Sequence, residues 1–236
     1  MGASSTQLNN APQGISPVTG GQLNRFRATV PGTADAIYAP LYDYQTYLAA
    51  GQLQLNFFSL PIGQGTTSAP GATGTKTEAD TNMQNAGLLP QGNRFFLTGL
   101  EVLFYPGNPI GAGALADAQA GRNWTDMYNV MKSGWLRLRI QNRDYILDGP
   151  LQVFPPIQRL EGVGSVTSTL TAGASTLAQI DYPTVAGIPY NIVPIYIQSN
   201  QFFGVQMNWP ALVPLPSTVA GRIGVRLRGQ LIRDAQ

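Results

Sequence analysis

An alternation of apolar and polar side chains over residues 135–140 is the feature that most limits what this chain can fold into. Successive side chains of a β-strand point to opposite faces of the sheet, so the alternation predicts a strand with one buried and one outward face. The predicted inward positions are Leu136, Leu138 and Ile140, and the outward ones are Trp135, Arg137 and Arg139.

Two turn signals follow this strand. The polar residues 141–144 end it, and the sequence Asp-Gly-Pro at residues 148–150 ends the apolar run that comes next. A third apolar run, residues 151–154, stops at Pro155, because proline has no N–H to donate to a β-ladder. The pattern therefore predicts three consecutive antiparallel strands joined by tight turns.

Further segments of the chain also have strand patterns. Residues 93–105 are the longest, and Gly99 within them predicts a β-bulge. Residues 161–178 alternate weakly and fit either an edge strand or an exposed loop. Residues 221–233 alternate strongly, with Ile223, Val225, Leu227 and Leu231 facing one way and Arg222, Arg226 and Arg228 the other. With residues 24–30, 52–60, 194–197 and 202–208, the total is about eight substantial strands.

Two short helices are predicted in the connections. The first covers residues 39–50 and would end at Gly51, because apolar residues recur within it at helical spacing. The second covers residues 124–132 and would be capped by Asn123. The apolar stripes behind these predictions are Leu41, Tyr44 and Leu48 in the first helix and Trp124, Met127, Tyr128 and Met131 in the second.

The composition favours a β-rich protein whose surface meets neighbouring subunits. Charged residues are 11% of the 236 residues, against about 25% in a typical soluble domain. The 27 Gly and 18 Pro suit many short strands joined by long uncharged loops. A free monomer usually needs more surface charge to stay soluble, so extensive contacts between subunits are expected.

The missing residue types exclude several kinds of chemistry. The chain contains no Cys and no His, which rules out disulfides, zinc sites of the usual kind, Ser-His-Asp triads and histidine acid–base catalysis. The net charge of +2 is too small to identify a nucleic-acid-binding protein. No catalytic, cofactor-binding or metal-binding residue is assigned, and the chain is expected not to be an enzyme.

The sequence divides into an arm, residues 1–21, and a single domain, residues 22–236. The arm has no charged side chain, so we expect it to become ordered only where it clamps a neighbouring subunit; the alternative is a plain disordered tail. It lacks the features of an export signal, and no apolar run is long enough to span a bilayer. The Gly- and Thr-rich loop at residues 63–90 is likewise expected to be ordered by contacts between subunits.

Candidate binding motifs are weak. Residues 71–77, GATGTKT, have the composition of a phosphate-binding loop but lack its Gly-Lys spacing and its flanking strand and helix. Glu78 and Asp80 could join a hard-cation site, yet the alternating acids of a calcium loop are missing and a solvated loop is favoured. The other carboxylates, Glu101 and Glu161 among them, have no spacing that selects a catalytic pair.

Two pairs of arginines form short basic stripes on predicted strands: Arg137 with Arg139, and Arg226 with Arg228. The favoured interpretation is a solvated face whose arginines pair with acids of the same or a neighbouring chain. The alternative is a weak contact with the phosphates of a genome or with an internal membrane.

Several longer segments resemble jelly-roll capsid proteins of icosahedral bacteriophages. They are residues 52–65 (QLQLNFFSLPIGQG), 81–107 (TNMQNAGLLPQGNRFFLTGLEVLFYPG) and 133–156 (SGWLRLRIQNRDYILDGPLQVFPP), together with the uncharged arm and the closing strand. The resemblance implies an antiparallel jelly-roll sandwich with one or two short helices in its connections. A compact double jelly roll is the alternative, but it would need about sixteen strands, twice the number predicted.

The resemblance also implies a function. It is that of a virion structural protein, made in the host cytoplasm, which assembles with copies of itself and other virion proteins to enclose a phage genome. The alternatives are a minor cement protein and a carbohydrate- or receptor-binding module of a tail or spike. Aromatic residues clustered on loops would indicate a binding module, whereas Trp124, Trp135 and Trp209 lie in or beside predicted strands and helices. A sandwich hydrolase with two carboxylates ranks third.

The sandwich interpretation predicts one core between the sheets. Its members should be the inward-facing apolar residues of several strands, because each alternation buries only one face. They are Leu53, Leu55, Leu136, Leu138, Ile140, Val225 and Leu227.

Overall fold

The computed structural model describes residues 34–69, 71–107, 114–154 and 190–234, and within them the protein consists mostly of β-strands. The arm at residues 1–21 and the segments 24–30 and 161–178 lie outside this part of the chain. In chain order the elements are β1 (Ala34–Tyr38), β2 (Leu41–Tyr47), β3 (Gln54–Phe57), β4 (Asn93–Tyr105), α1 (Ala114–Ser133), β5 (Trp135–Ile140), β6 (Arg143–Pro150), a 3-10 turn (Leu151–Val153), β7 (Tyr190–Gln198), β8 (Phe203–Asn208) and β9 (Gly221–Asp234).

The strands form two antiparallel sheets. In the first sheet the hydrogen-bonded order is β1-β9-β4-β7, and β2 also pairs with β9; in the second it is β3-β8-β5-β6. The pairs are nested along the chain, because β2 pairs with β9, β3 with β8, β4 with β7 and β5 with β6. The expected all-β architecture of antiparallel sheets is therefore confirmed.

A single apolar core holds most of the predicted inward residues. Leu136 and Leu138 from the second sheet and Val225 from the first are completely buried in it. Leu55, Ile140 and Leu227 are buried in the same core, as predicted. Leu53 is not, since 54% of its surface is exposed. The reason is that β3 begins only at Gln54, so Leu53 belongs to the preceding turn.

The strongest sequence patterns correspond to strands with nearly the predicted bounds. β4 covers the predicted residues, and its register with both neighbours shifts between Leu97 and Gly99, which confirms an irregularity at the predicted bulge. β9 covers the predicted closing strand and one more residue. The strand predicted at residues 194–197 is longer, since β7 begins at Tyr190.

The helix predicted at residues 39–50 is wrong, because β2 occupies its centre. β2 pairs with β9 over its whole length, from Leu41 opposite Leu227 to Tyr47 opposite Gly221. Tyrosine and threonine favour strands, and hydrogen bonding to a distant strand outweighs the helical spacing of a few apolar residues. The buried Tyr47 ring packs edge-on against Trp209, at 5.1 Å between centroids.

Two predictions on either side of the β5–β6 hairpin need correction. The third strand expected at residues 151–154 is a 3-10 turn, in which the Leu151 N–H donates to the Gly134 carbonyl at 3.0 Å.

The second helix is longer than residues 124–132, since α1 begins at Ala114. Its added first part, ALADAQA, is rich in alanine, which favours helix without an apolar stripe. Asn123 lies inside α1 and does not cap it.

Replacing Leu138 with alanine is expected to lower the free energy of unfolding by about 2–5 kcal/mol, because Leu138 is completely buried between the sheets. Urea unfolding followed by circular dichroism measures the loss. Leu53→Ala is the matched control, and its effect should stay within about 0.5 kcal/mol because Leu53 is exposed. Equal losses in the two variants would contradict the arrangement of the core.

Candidate functional site

The first arginine stripe is paired with one carboxylate of the same hairpin. Arg139 Nε lies 2.9 Å from Asp144 Oδ1, and Arg137 Nε lies 3.7 Å from Asp144 Oδ2. The hydrogen bond from Arg139 lowers the pKa of Asp144 below its ordinary value. The Arg139 side chain is 54% exposed, so water screens this pair and its contribution to stability is small.

The second arginine stripe is paired with a buried carboxylate of β4. The Glu101 side chain is completely buried, and its carboxylate lies 2.7 Å from Arg228 Nε and 3.6 Å from Arg226 Nη1. Burial raises the pKa of Glu101, and the two guanidinium groups offset only part of that rise. Both stripes thus have acids of the same chain beside them, in line with the favoured interpretation.

A buried carboxylate, Asp80, fixes the long loop between β3 and β4. It accepts hydrogen bonds from Thr67 Oγ1 at 2.7 Å, from the Ser68 hydroxyl at 2.7 Å and N–H at 2.8 Å, and from the Thr77 N–H at 3.0 Å. Burial alone would raise the pKa of Asp80, but these hydrogen bonds outweigh it and lower the pKa from 3.8 to about 2. One ionised side chain therefore ties together both ends of the loop segment 67–80.

The same loop covers the outer edge of β2. The Tyr44 N–H donates to the Asp80 carbonyl at 2.7 Å, and the Tyr42 N–H donates to Asn82 Oδ1 at 3.0 Å. Thr81 forms an antiparallel bridge with Asp43. An uncovered edge strand invites pairing with other chains, so the loop protects this side of the first sheet.

A buried ion pair joins the loop to β2. Lys76 Nζ lies 2.5 Å from Asp43 Oδ1, and the two side chains are 2% and 0% exposed. The Phe58 N–H donates to Asp43 Oδ2 at 2.6 Å. Burial raises the pKa of Asp43, and the Lys76 charge offsets part of that rise. The only lysine of the segment 71–77 is thus engaged inside the protein, which gives no support to a phosphate-binding loop.

These contacts correct the expectation that residues 63–90 need a neighbouring subunit to become ordered. The expectation rested on their low apolar content, but hydrogen bonds, an ion pair and the burial of Met83 and Leu89 in the core fix these residues within one chain. Asp80 and Lys76 are the residues that sequence reasoning missed in this role. Lys76 pairs with a residue 33 positions away, and Asp80 bonds to Thr67 and Ser68, 13 and 12 positions away, so a short sequence pattern does not predict these contacts.

A groove of about 640 Å³ lies between β6 of the second sheet and β7 of the first. Both strands are the last members of their sheets. Tyr145, Tyr190 and Tyr196 line the groove and are exposed by 48%, 39% and 38%. The buried Phe154 ring packs edge-on against Tyr190 at 4.8 Å between centroids. Sequence reasoning missed the groove because its tyrosines come from two distant strands and not from one loop.

The described ranges contain no group of three or more acidic side chains that could hold a metal ion. In the same ranges, no helix has both the length and the apolar character needed to cross a membrane. Comparison with known proteins finds no protein-family model that matches the sequence and no similar curated protein.

Asp80→Asn is expected to destabilise the protein at neutral pH, and the difference from the wild type should shrink as the pH falls from about 4 towards 2. The folded-state pKa of Asp80 is depressed, so its contribution is present above the ordinary value of 3.8 and is lost as the pH falls through about 2. Urea unfolding across this pH range measures it. Asp35→Asn on β1 is the control for the loss of one carboxylate. If the loss of unfolding free energy in Asp80→Asn did not depend on pH, that result would contradict the stabilising role of the ionised Asp80 carboxylate.

Proposed function

We propose that this chain is a structural subunit of an icosahedral bacteriophage capsid and that its two sheets form a single jelly roll. The observation that carries the fold proposal is the nested pairing of β2 with β9, β3 with β8, β4 with β7 and β5 with β6. Folding a long antiparallel ribbon over itself produces this nesting and divides the strands between two sheets, which is the logic of a jelly roll. β1 and β2 both pair with β9, end to end, and together fill one strand position.

The arrangement of the loops supports an assembling subunit. Jelly rolls leave loops at the ends of the sandwich free for neighbouring molecules. Here the long β3–β4 connection is already fixed by Asp80 and by the Lys76–Asp43 pair within one chain. A surface that is ordered before it binds loses little entropy on association, which suits a subunit that must meet several neighbours.

The proposed partners are copies of this chain and other virion proteins, and the proposed location is the virion after synthesis in the host cytoplasm. We propose no catalytic role and no cofactor. A weak contact with a genome or an internal membrane would use the two arginine stripes. The arginines concerned are Arg137, Arg139, Arg226 and Arg228.

Electron microscopy of the purified protein tests the proposal, and closed shells or regular arrays are the expected result. A protein that stays dispersed and monomeric at all concentrations would contradict it.

Deletion of residues 2–21 should leave the domain folded by circular dichroism but reduce assembly, because the arm is proposed to clamp a neighbour. Shells of unchanged size and stability would show that the arm has no such role.

A carbohydrate- or receptor-binding module is the second candidate, and the tyrosine-lined groove favours it. Ligand pockets are concave, lined largely by apolar and aromatic side chains, and carry a few polar groups. Binding to a glycan array that is lost in Tyr196→Ala, but kept in a control variant such as Tyr38→Ala, would support this candidate. Tyr38 is also exposed but is not among the residues that line the groove. Absence of glycan binding would set this candidate aside.

A further inference from the structure

The buried contact between Lys76 and Asp43 places an amine directly against a carboxyl group. Lys76 Nζ lies 2.5 Å from Asp43 Oδ1, and the two side chains are 2% and 0% exposed. An amine and a carboxyl group react to form an amide when water is lost. This pair therefore has a chemistry that a pair of arginine and carboxylate lacks.

The backbone on each side of the contact is fixed by hydrogen bonds. The Lys76 N–H donates to the Gln64 carbonyl at 3.3 Å, and the Gly63 N–H donates to the Lys76 carbonyl at 2.8 Å. Asp43 lies inside β2, where it pairs with Val225 of β9. Because Cγ is bonded to Oδ1, the amine nitrogen is held close to the carbon that it would attack. Reacting groups held in this way behave as if they were present at a very high concentration.

The surroundings of the pair disfavour two separated charges. Phe58 and Val225, which contact or pair with Asp43, are completely buried. Burial raises the pKa of Asp43, and the charge and hydrogen bond of Lys76 offset part of that rise. A proton that passes from Nζ to Oδ1 leaves an uncharged amine beside an uncharged acid, and these are the forms that react.

The Phe58 N–H is placed to stabilise the reaction. It donates to Asp43 Oδ2 at 2.6 Å. Attack on Cγ moves negative charge onto this oxygen, and a backbone N–H already aimed at such an oxygen lowers the barrier. Phe58 holds its N–H there with a φ of +66°, a backbone conformation that bulky residues rarely adopt and that recurs at functional sites.

The cation of this pair is a lysine in a chain that otherwise uses arginine. Lysine occurs only at positions 76 and 132, and all other basic residues are arginines. Arginine is the usual cation of buried ion pairs, because it bonds a carboxylate at two points and does not lose its proton. The arginines beside Glu101 and Asp144 are partly exposed, whereas the buried cation is the residue type that becomes a nucleophile.

We propose that Lys76 and Asp43 condense in the folded protein and form an isopeptide bond within the chain. One proton passes from Nζ to Oδ1, and the Nζ electron pair attacks Cγ. A second proton then passes from Nζ to Oδ1, the bond between Cγ and Oδ1 breaks, and Oδ1 leaves as water. No atom is oxidised or reduced, and no co-reactant is consumed. Oδ2 becomes the amide oxygen and keeps the hydrogen bond from Phe58.

The bond changes how the β3–β4 loop is held. It joins residues 43 and 76 into a covalent ring and fastens the loop to the edge of β2, which it covers. It also replaces two buried charges with an uncharged amide, so the cost of keeping these charges away from water disappears. This inference is independent of the proposed capsid function.

Mass spectrometry of the full-length protein, unfolded in urea and digested with trypsin, tests the proposal. Residues 28–93 contain one trypsin site, at Lys76, between the sites at Arg27 and Arg94. An amide on Nζ blocks cleavage at Lys76, so the expected product is a single peptide, residues 28–94, lighter than its sequence by one water molecule. A simple ion pair would give two peptides of full mass, residues 28–76 and 77–94.

Two controls show whether the missing cleavage and the missing water belong to this bond. Cleavage after the exposed Lys132 should be complete in the same digest. Lys76→Arg keeps a cation beside Asp43 but has no nucleophilic amine. This variant should be cleaved after position 76 and should have the full mass of its sequence, with circular dichroism to confirm that it folds.

The wild-type result decides the proposal even if the variant does not fold. Complete cleavage after Lys76 with peptides of full mass would overturn the isopeptide bond and leave a buried ion pair. A peptide 28–94 of full mass would show incomplete digestion without a bond and would also overturn it. Loss of water that persists in Lys76→Arg would place the dehydration elsewhere in the chain, with the same consequence. These results do not depend on whether the protein assembles, so the capsid proposal stands or falls separately.

Discussion

The first sheet depends on β9, which is hydrogen-bonded along both of its sides. β4 pairs with it on one side, and β1 and β2 share the other. Its inward residues Ile223, Val225 and Leu227 are completely buried. On the opposite face, the same pairing places Arg226 and Arg228 of β9 beside Glu101, the one buried acid of β4. Without β9, β1 and β2 would lose the strand with which they pair, and the core would lose the buried side chains of β9.

The strands that could be predicted from the sequence are those whose two faces differ sharply. β5 and β9 alternate leucine, isoleucine or valine with arginine, so consecutive residues show which face of each strand is buried. β4 was equally clear because of its length and aromatic content, and Gly99 marked its irregularity. For such strands the local pattern and the sheet agree, and the predicted bounds are accurate to a few residues.

The remaining features depend on residues that are distant in sequence. The apolar residues of β2 have a spacing that also fits a helix. Only the pairing of β2 with β9 determines that this segment is a strand. The buried pair of Lys76 with Asp43 lies in a segment that looks like a polar loop. The tyrosine groove likewise forms where β6 and β7, distant in the sequence, come together. Patterns in a single sequence describe residues that are neighbours along the chain. They carry little information about contacts between segments that are distant in the sequence.

The nested pairing also governs the order in which the chain can fold during synthesis. At about 5–20 residues per second, roughly 10–35 s separate the synthesis of β2 from that of β9. During this interval β2 lacks the strand that gives it a place in the sheet. Residues 80–82, however, are made soon after β2 and bond to its other edge through Tyr42 and Tyr44. The β3–β4 loop can thus cover one edge of β2 before β9 is synthesised, which leaves only the other edge open to pairing with another chain.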